Sequence, residues 1–130
     1  MTAPHRSEIQ VRFGDTDMLG HLNNKAYLEY AELARVELFR DLQGGGPSII
    51  LVHLEVDFER QVRFGQRVYL LTWVERVGNT SVTLQQDIYA NDDRAAKVRS
   101  VSVLFDYQAQ APAAISDELR SRLEGLLLKR

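Results

Sequence analysis

Cysteine is absent from the 130-residue chain, which excludes disulfides, thiolate metal sites and a cysteine nucleophile. Neither sign of charge dominates. With 16 Lys+Arg against 18 Asp+Glu and a net charge of −2, and with the arginines scattered, the chain lacks the footprint of a nucleic-acid binder. No apolar run approaches the ~18 residues of a membrane span, and the opening MTAPHRSEIQ lacks the apolar stretch of a signal peptide. Internal repeats, low-complexity tracts and evident linkers are missing too. We therefore expect a cytoplasmic protein with no nucleic-acid or membrane partner.

What remains is ordinary for a soluble globular chain, 45% hydrophobic and 26% charged. Its length suits a single domain over residues 1–130. SEIQVRF alternates, which predicts a strand with Ile9, Val11 and Phe13 on one face. The period then lengthens: Tyr27, Tyr30, Ala31, Ala34 and Leu38 form one apolar stripe of a long helix, capped at Asn23 or Asn24 and ended by GGGP at 44–47. From Ser48 the period is two, with Ile50, Val52, Leu54, Val56 and Phe58 expected inward, and His53, Glu55 and Asp57 outward. RVYLLTWV (67–74) is apolar on both faces and needs cover on both sides. Gly78-Asn79 marks a hairpin. Val82, Leu84, Ile88 and Ala90 line the next strand, Val101, Val103 and Phe105 the last, and Ser116 caps a short helix carrying Ile115, Leu119, Leu123, Leu126 and Leu127. One helix covers one sheet face, so a second copy of the chain is the simplest cover for the strand around Trp73.

The unusual stretch is FGDTDMLGHLNN (13–24), which crowds two carboxylates, two glycines, a histidine and two asparagines before the helix. With the continuation KAYLEYAELAR and the element order, it resembles the hotdog-fold acyl-CoA thioesterases, most closely the 4-hydroxybenzoyl-CoA thioesterase branch with its YbgC-like and FadM-like relatives. The resemblance implies an α+β fold: a curved antiparallel five-stranded sheet wrapped around one long helix, with a short C-terminal helix. It also implies two chains pairing into one continuous sheet, so a homodimer at minimum, with tetramerisation open. Matched residue by residue, it implies that Asp17 is the catalytic carboxylate, as general base or nucleophile, with His21 beside it. The backbone N–H near Asn24 would meet the thioester carbonyl.

The chemistry suits the place. Thioester hydrolysis needs an activated nucleophile and a stabiliser for the oxyanion. A helix start supplies unpaired N–H groups and partial positive charge. Gly14 and Gly20 let the loop bend and approach a ligand. Tyr27 stands as core or pocket wall. Asp15 and Thr16 read as turn and hydrogen-bonding residues.

Several residues have bland readings beside functional ones. Arg60 and Arg63 are candidates for the phosphates of coenzyme A, or simply charged residues at a strand end. Related enzymes often have a proline in this region, and Arg60-Gln61-Val62 has none. Glu32 and Arg35 can pair on the helix surface, although another hotdog branch uses a helix glutamate, which makes Glu32 the reserve carboxylate. His53 with Glu55 and Asp57 reads as a solvated face, and no metal or cofactor is expected beyond the coenzyme A thioester substrate. Two rivals keep the fold: a non-catalytic acyl-CoA sensor, and an acyl-carrier-protein thioesterase. A hydratase is disfavoured because DMLGH lacks that chemistry's D-x-N-P-x-H pattern.

Overall fold

The computed structural model describes residues 2–44 and 47–128. It contains strand β1 (His5–Ile9), helix α1 (Asn24–Gln43), β2 (Ser48–Phe58), β3 (Val68–Val77), β4 (Ser81–Ala90), β5 (Asp93–Asp106), β6 (Ala111–Pro112) and helix α2 (Asp117–Glu124). The five long strands form one antiparallel sheet in the order β1-β3-β4-β5-β2, and β6 adds a short sixth strand beside β5. The expected five strands are thus present, with one two-residue addition. No helix among the described residues is long and apolar enough to cross a membrane.

Local chemistry sets the ends of α1. Asn23 is the N-cap, its Oδ1 accepting from Lys25 N–H at 2.8 Å. Gly44 closes the other end at φ +64°, a left-handed conformation glycine adopts without strain, and its N–H donates to Arg40 O. Gly45 and Gly46 of the GGGP stretch lie outside the described residues. The stripe Tyr27, Tyr30, Ala31, Ala34 and Leu38 is buried as its spacing predicts.

The core falls into two clusters along α1. One packs Leu22, Tyr27, Tyr30 and Ala34 against Val68, Leu70, Ile88 and Val98. The other packs Leu38 and Phe39 against Val74, Leu84, Leu104 and, from the α2 region, Ile115, Leu119 and Leu123. A polar belt lies along the same interface. Gln86 is fully buried on β4, donates to Ala31 O and Thr72 Oγ1 at 3.0 and 3.3 Å, and accepts from Arg35 at 3.1 Å. Arg35 is therefore not the surface partner of Glu32 that the i, i+3 spacing suggests.

Three further expectations are corrected. Phe13 does not extend β1: the strand stops at Ile9, and Phe13 opens a 3-10 turn (Phe13–Asp15) where it is 79% exposed. In β2 a bulge between Leu51 and His53 shifts the register. Ile49 packs inward before the bulge and Leu54 and Val56 after it, so the even-numbered stripe is not continuous, and Val52 is exposed. From Val98 onward the buried side chains of β5 are Val98, Ser100, Ser102 and Leu104, whereas Val101, Val103 and Phe105 lie half-buried on the outer face. Alternation identifies two faces but does not say which one meets the helix. The apolar outer face of β3 has partial cover of its own, since Tyr69 stacks on Tyr89 (5.1 Å between ring centroids) and lies under the Arg6 guanidinium at 3.8 Å.

Candidate active site

Between β1 and α1 the chain folds around a buried carboxylate. Asp15 accepts from the Arg12 backbone N–H and Nη2, both at 3.0 Å, and from the Tyr30 hydroxyl at 2.6 Å. Its carbonyl accepts Asn23 N–H at 2.8 Å. One residue thus ties the end of β1, the loop and the helix start together. Burial alone would raise the pKa of Asp15, but the hydrogen bonds from Arg12 and Tyr30 outweigh it and hold the carboxyl below its usual range. Burial, followed by the bond to Asp15, pushes the Tyr30 hydroxyl up.

Two residues on, Asp17 is exposed and closes a tight turn. Its N–H donates to His21 O at 2.8 Å and its carbonyl accepts Gly20 N–H at 3.0 Å. Carboxylate Oδ1 accepts Leu19 N–H at 2.9 Å and His21 N–H at 3.2 Å. The reversal needs φ +76° at Gly20. Oδ1 is thereby oriented, while Oδ2 receives no hydrogen bond from the described residues.

At the helix start, Lys25 N–H goes to Asn23 Oδ1 and Ala26 N–H to Asn23 O. Asn24 N–H finds no acceptor among the described residues. The segment after β2 forms the other wall: Leu22 N–H donates to Val62 O at 2.7 Å, Phe64 N–H to Gly20 O at 3.1 Å, and His21 bridges to Arg63. Asp17, Gly20, His21, Asn24 and Arg63 are therefore gathered on one loop cluster.

Tyr27 plays a different part. It is buried, and its hydroxyl accepts Val62 N–H at 3.2 Å and donates to Arg60 O at 3.3 Å, so it pins this wall. Arg60 and Arg63 are exposed and form no ion pair among the described residues. Glu32 lies eight residues beyond Asn24, about 12 Å along the helix axis, and the fold does not bring it to the loop cluster.

Sequence reasoning missed two features. The Arg12–Asp15–Tyr30 network joins residues up to 18 positions apart, and no spacing rule signals it. An apolar collar of Phe13, Met18, Leu19 and Phe64, from 52% to 102% exposed, flanks Asp17, with Phe13 edge-on to Phe64 at 5.9 Å. Its only sequence trace was apolar residues inside a turn-forming stretch. A third group, His5, Glu37 and Asp41, has possible metal-ligand atoms within 4.8 Å of one another. His5 already bonds Asp41 at 2.8 Å, and its buried Nδ1 has no partner among the described residues. Coordination through Nε2 would leave a buried N–H unmet, which fits a metal poorly.

Comparison with known proteins agrees with this geometry. The thioesterase-like superfamily profile matches residues 11–123. A predicted thioesterase from Bacillus stearothermophilus superposes with a TM-score of 0.90 at 32% identity, covering 98% of this chain and 99% of that one. A thioesterase from Thermus thermophilus, solved with coenzyme A and Zn, superposes at 0.83 with 31% identity over 95% of this chain and 94% of that one. The long-chain acyl-CoA thioesterase FadM of Escherichia coli K12 is 23% identical over 94% of this chain and 98% of its own length. With α1 packed on the antiparallel sheet and the profile spanning most of its length, this chain belongs to the thioesterase-like superfamily and is a hotdog-fold thioester hydrolase.

Proposed function

We propose that the protein hydrolyses acyl-CoA thioesters with Asp17 as the catalytic carboxylate. The observation that carries the reading is the state of Asp17: one carboxylate oxygen is held by two backbone N–H groups and the other takes no hydrogen bond from the described residues, a few residues from the Asn24 amide, which has no acceptor among them. In the general-base route, Oδ2 takes a proton from water as its oxygen attacks the thioester carbonyl carbon. The oxyanion meets the Asn24 N–H and the positive end of α1. The tetrahedral intermediate then collapses, the C–S bond breaks, and the thiolate leaves and is protonated, giving free acid and coenzyme A. In the nucleophilic route Oδ2 attacks directly, the C–S bond breaks and the thiolate leaves, and water hydrolyses the resulting anhydride to free acid and the Asp17 carboxylate.

His21 fits a role in orienting water or donating to the carbonyl, and Gly20 lets the backbone approach the ligand. Arg60 and Arg63, exposed on the neighbouring wall, suit phosphate oxygens. The coenzyme A bound to the Thermus relative supports that ligand class. The exposed apolar residues Phe13, Met18, Leu19, Leu33, Val36, Leu51 and Val52 support a homodimer, because side chains of that size are seldom left in water together. We place the enzyme in the cytoplasm. Thiol release from a panel of short, long and aryl acyl-CoAs tests the reading. Turnover supports it, whereas binding without turnover would favour an acyl-CoA sensor or a carrier-protein substrate.

A further inference from the structure

The most anomalous charge in the chain is Arg35. It is 4% exposed, and of the five N–H donors a guanidinium offers one is seen to be used, Nη1 to the neutral Gln86 Oε1. No ion pair joins it to a described carboxylate. Desolvation pulls its pKa down, with only the field of Glu32 opposing. A buried cation with neutral partners is costly, so the single chain is electrostatically incomplete here.

Arg35 also lines a cavity of about 190 Å³ with Glu32, Val36, Ile49 and Leu51, where α1 meets the inner side of β2. Strand β2 is an edge of the sheet, paired on one side only, with β5. Around this spot Leu33, Val36, Leu51 and Val52 are 42% to 58% exposed. The cavity therefore sets an exposed acid, Glu32, beside the buried base within an apolar rim. A two-fold contact brings a patch against itself, so residue i meets j while j meets i. Such a patch is complementary to its own copy.

We infer that Arg35 is the receptor for a carboxylate from a second copy of the chain, Glu32, and that two reciprocal Arg35–Glu32 pairs join α1 to α1 across the dimer. The inference rests on the homodimer reading above and adds the contact that would complete the buried charge. It also gives Glu32 a role other than catalysis.

The test is sedimentation of the wild type, Glu32→Arg, Arg35→Glu and an equimolar mixture of the two variants. Each variant opposes like charges across both contacts, so each should dimerise at least about tenfold more weakly than the wild type. The mixture should recover association as a heterodimer, because each chain then meets its opposite. Pairing within one chain cannot produce that recovery, since each variant carries two like charges three residues apart. Variants as dimeric as the wild type, or a mixture no tighter than its components, would overturn the inference. If Arg35→Glu does not fold, exposed Glu32 still decides: Glu32→Arg must weaken the dimer more than Glu32→Gln, and equal effects would overturn it. A monomeric wild type removes the dimer reading itself, whereas a dimer indifferent to both residues removes the ion pair alone.

Discussion

Replacing Tyr30 with phenylalanine removes one oxygen and should reveal how the loop before α1 is held. The Tyr30 hydroxyl donates to the buried Asp15 carboxylate at 2.6 Å. The remaining donors all come from Arg12: its backbone N–H and Nη2 at 3.0 Å and Nε at 3.4 Å. Arg12 is well exposed, so water screens its share. The tyrosine bond is the short, dry one. A hydrogen bond to a charged group contributes about 1.5–3 kcal/mol, and about 2 kcal/mol is expected here. For 130 residues the unfolding entropy is about 0.27 kcal/mol/K, so Tyr30→Phe should lower Tm by about 7 °C.

The pH dependence sharpens this prediction. The folded pKa of Asp15 lies below its unfolded value. The stability it contributes is therefore full above the unfolded pKa, near 4, and is lost as pH falls through the folded value. With Asp15 protonated the tyrosine bond becomes a neutral one of about 1 kcal/mol. Thermal unfolding of both proteins at equal concentration should thus show the Tyr30→Phe deficit roughly halving from pH 7 into the acid range. A deficit below about 0.5 kcal/mol at neutral pH, or one that ignores pH, would refute the assignment of Asp15 as a buried, ionised anchor.

Other outcomes follow from the same geometry. Gly20→Ala has no neighbour to clash with, so its cost is backbone strain at positive φ alone, about 1–2 kcal/mol in chemical denaturation; an unchanged midpoint would contradict the turn geometry. Asn23→Ala removes the α1 cap and should cost about 1 kcal/mol in the same assay, with a fall in turnover if the helix start holds the oxyanion. Arg60→Ala with Arg63→Ala should raise KM for coenzyme A esters more than it lowers kcat. An unaltered KM would remove both arginines from phosphate binding.

The legible parts of the molecule are those with local causes. Asn23, the tyrosine–alanine stripe and Gly44 announce α1 because capping, periodicity and glycine termination act over a few residues. The loop stretch was legible because carboxylate, glycines and helix start lie within a dozen positions. What could not be read depends on the partner face. The bulge in β2 falls at Val52, at the end of the run Ile49–Val52, where every residue is apolar and alternation carries no phase. The inward side of β5 carries Ser100 and Ser102 while Val101 and Val103 face out, opposite to hydrophobicity alone. Arg35 looked like a surface residue because its burial against Gln86 depends on a strand 51 positions away.

The central claim is that Asp17 performs the hydrolysis, and thiol release from acyl-CoAs by wild type, Asp17→Asn and Glu32→Gln tests it most directly. Asparagine keeps the Oδ1 that holds the Leu19 and His21 N–H groups, so the turn should survive while the base or nucleophile is lost. Turnover should fall at least about 100-fold in Asp17→Asn with substrate binding retained, and should persist in Glu32→Gln. Full activity in Asp17→Asn, with collapse in Glu32→Gln, would contradict the account.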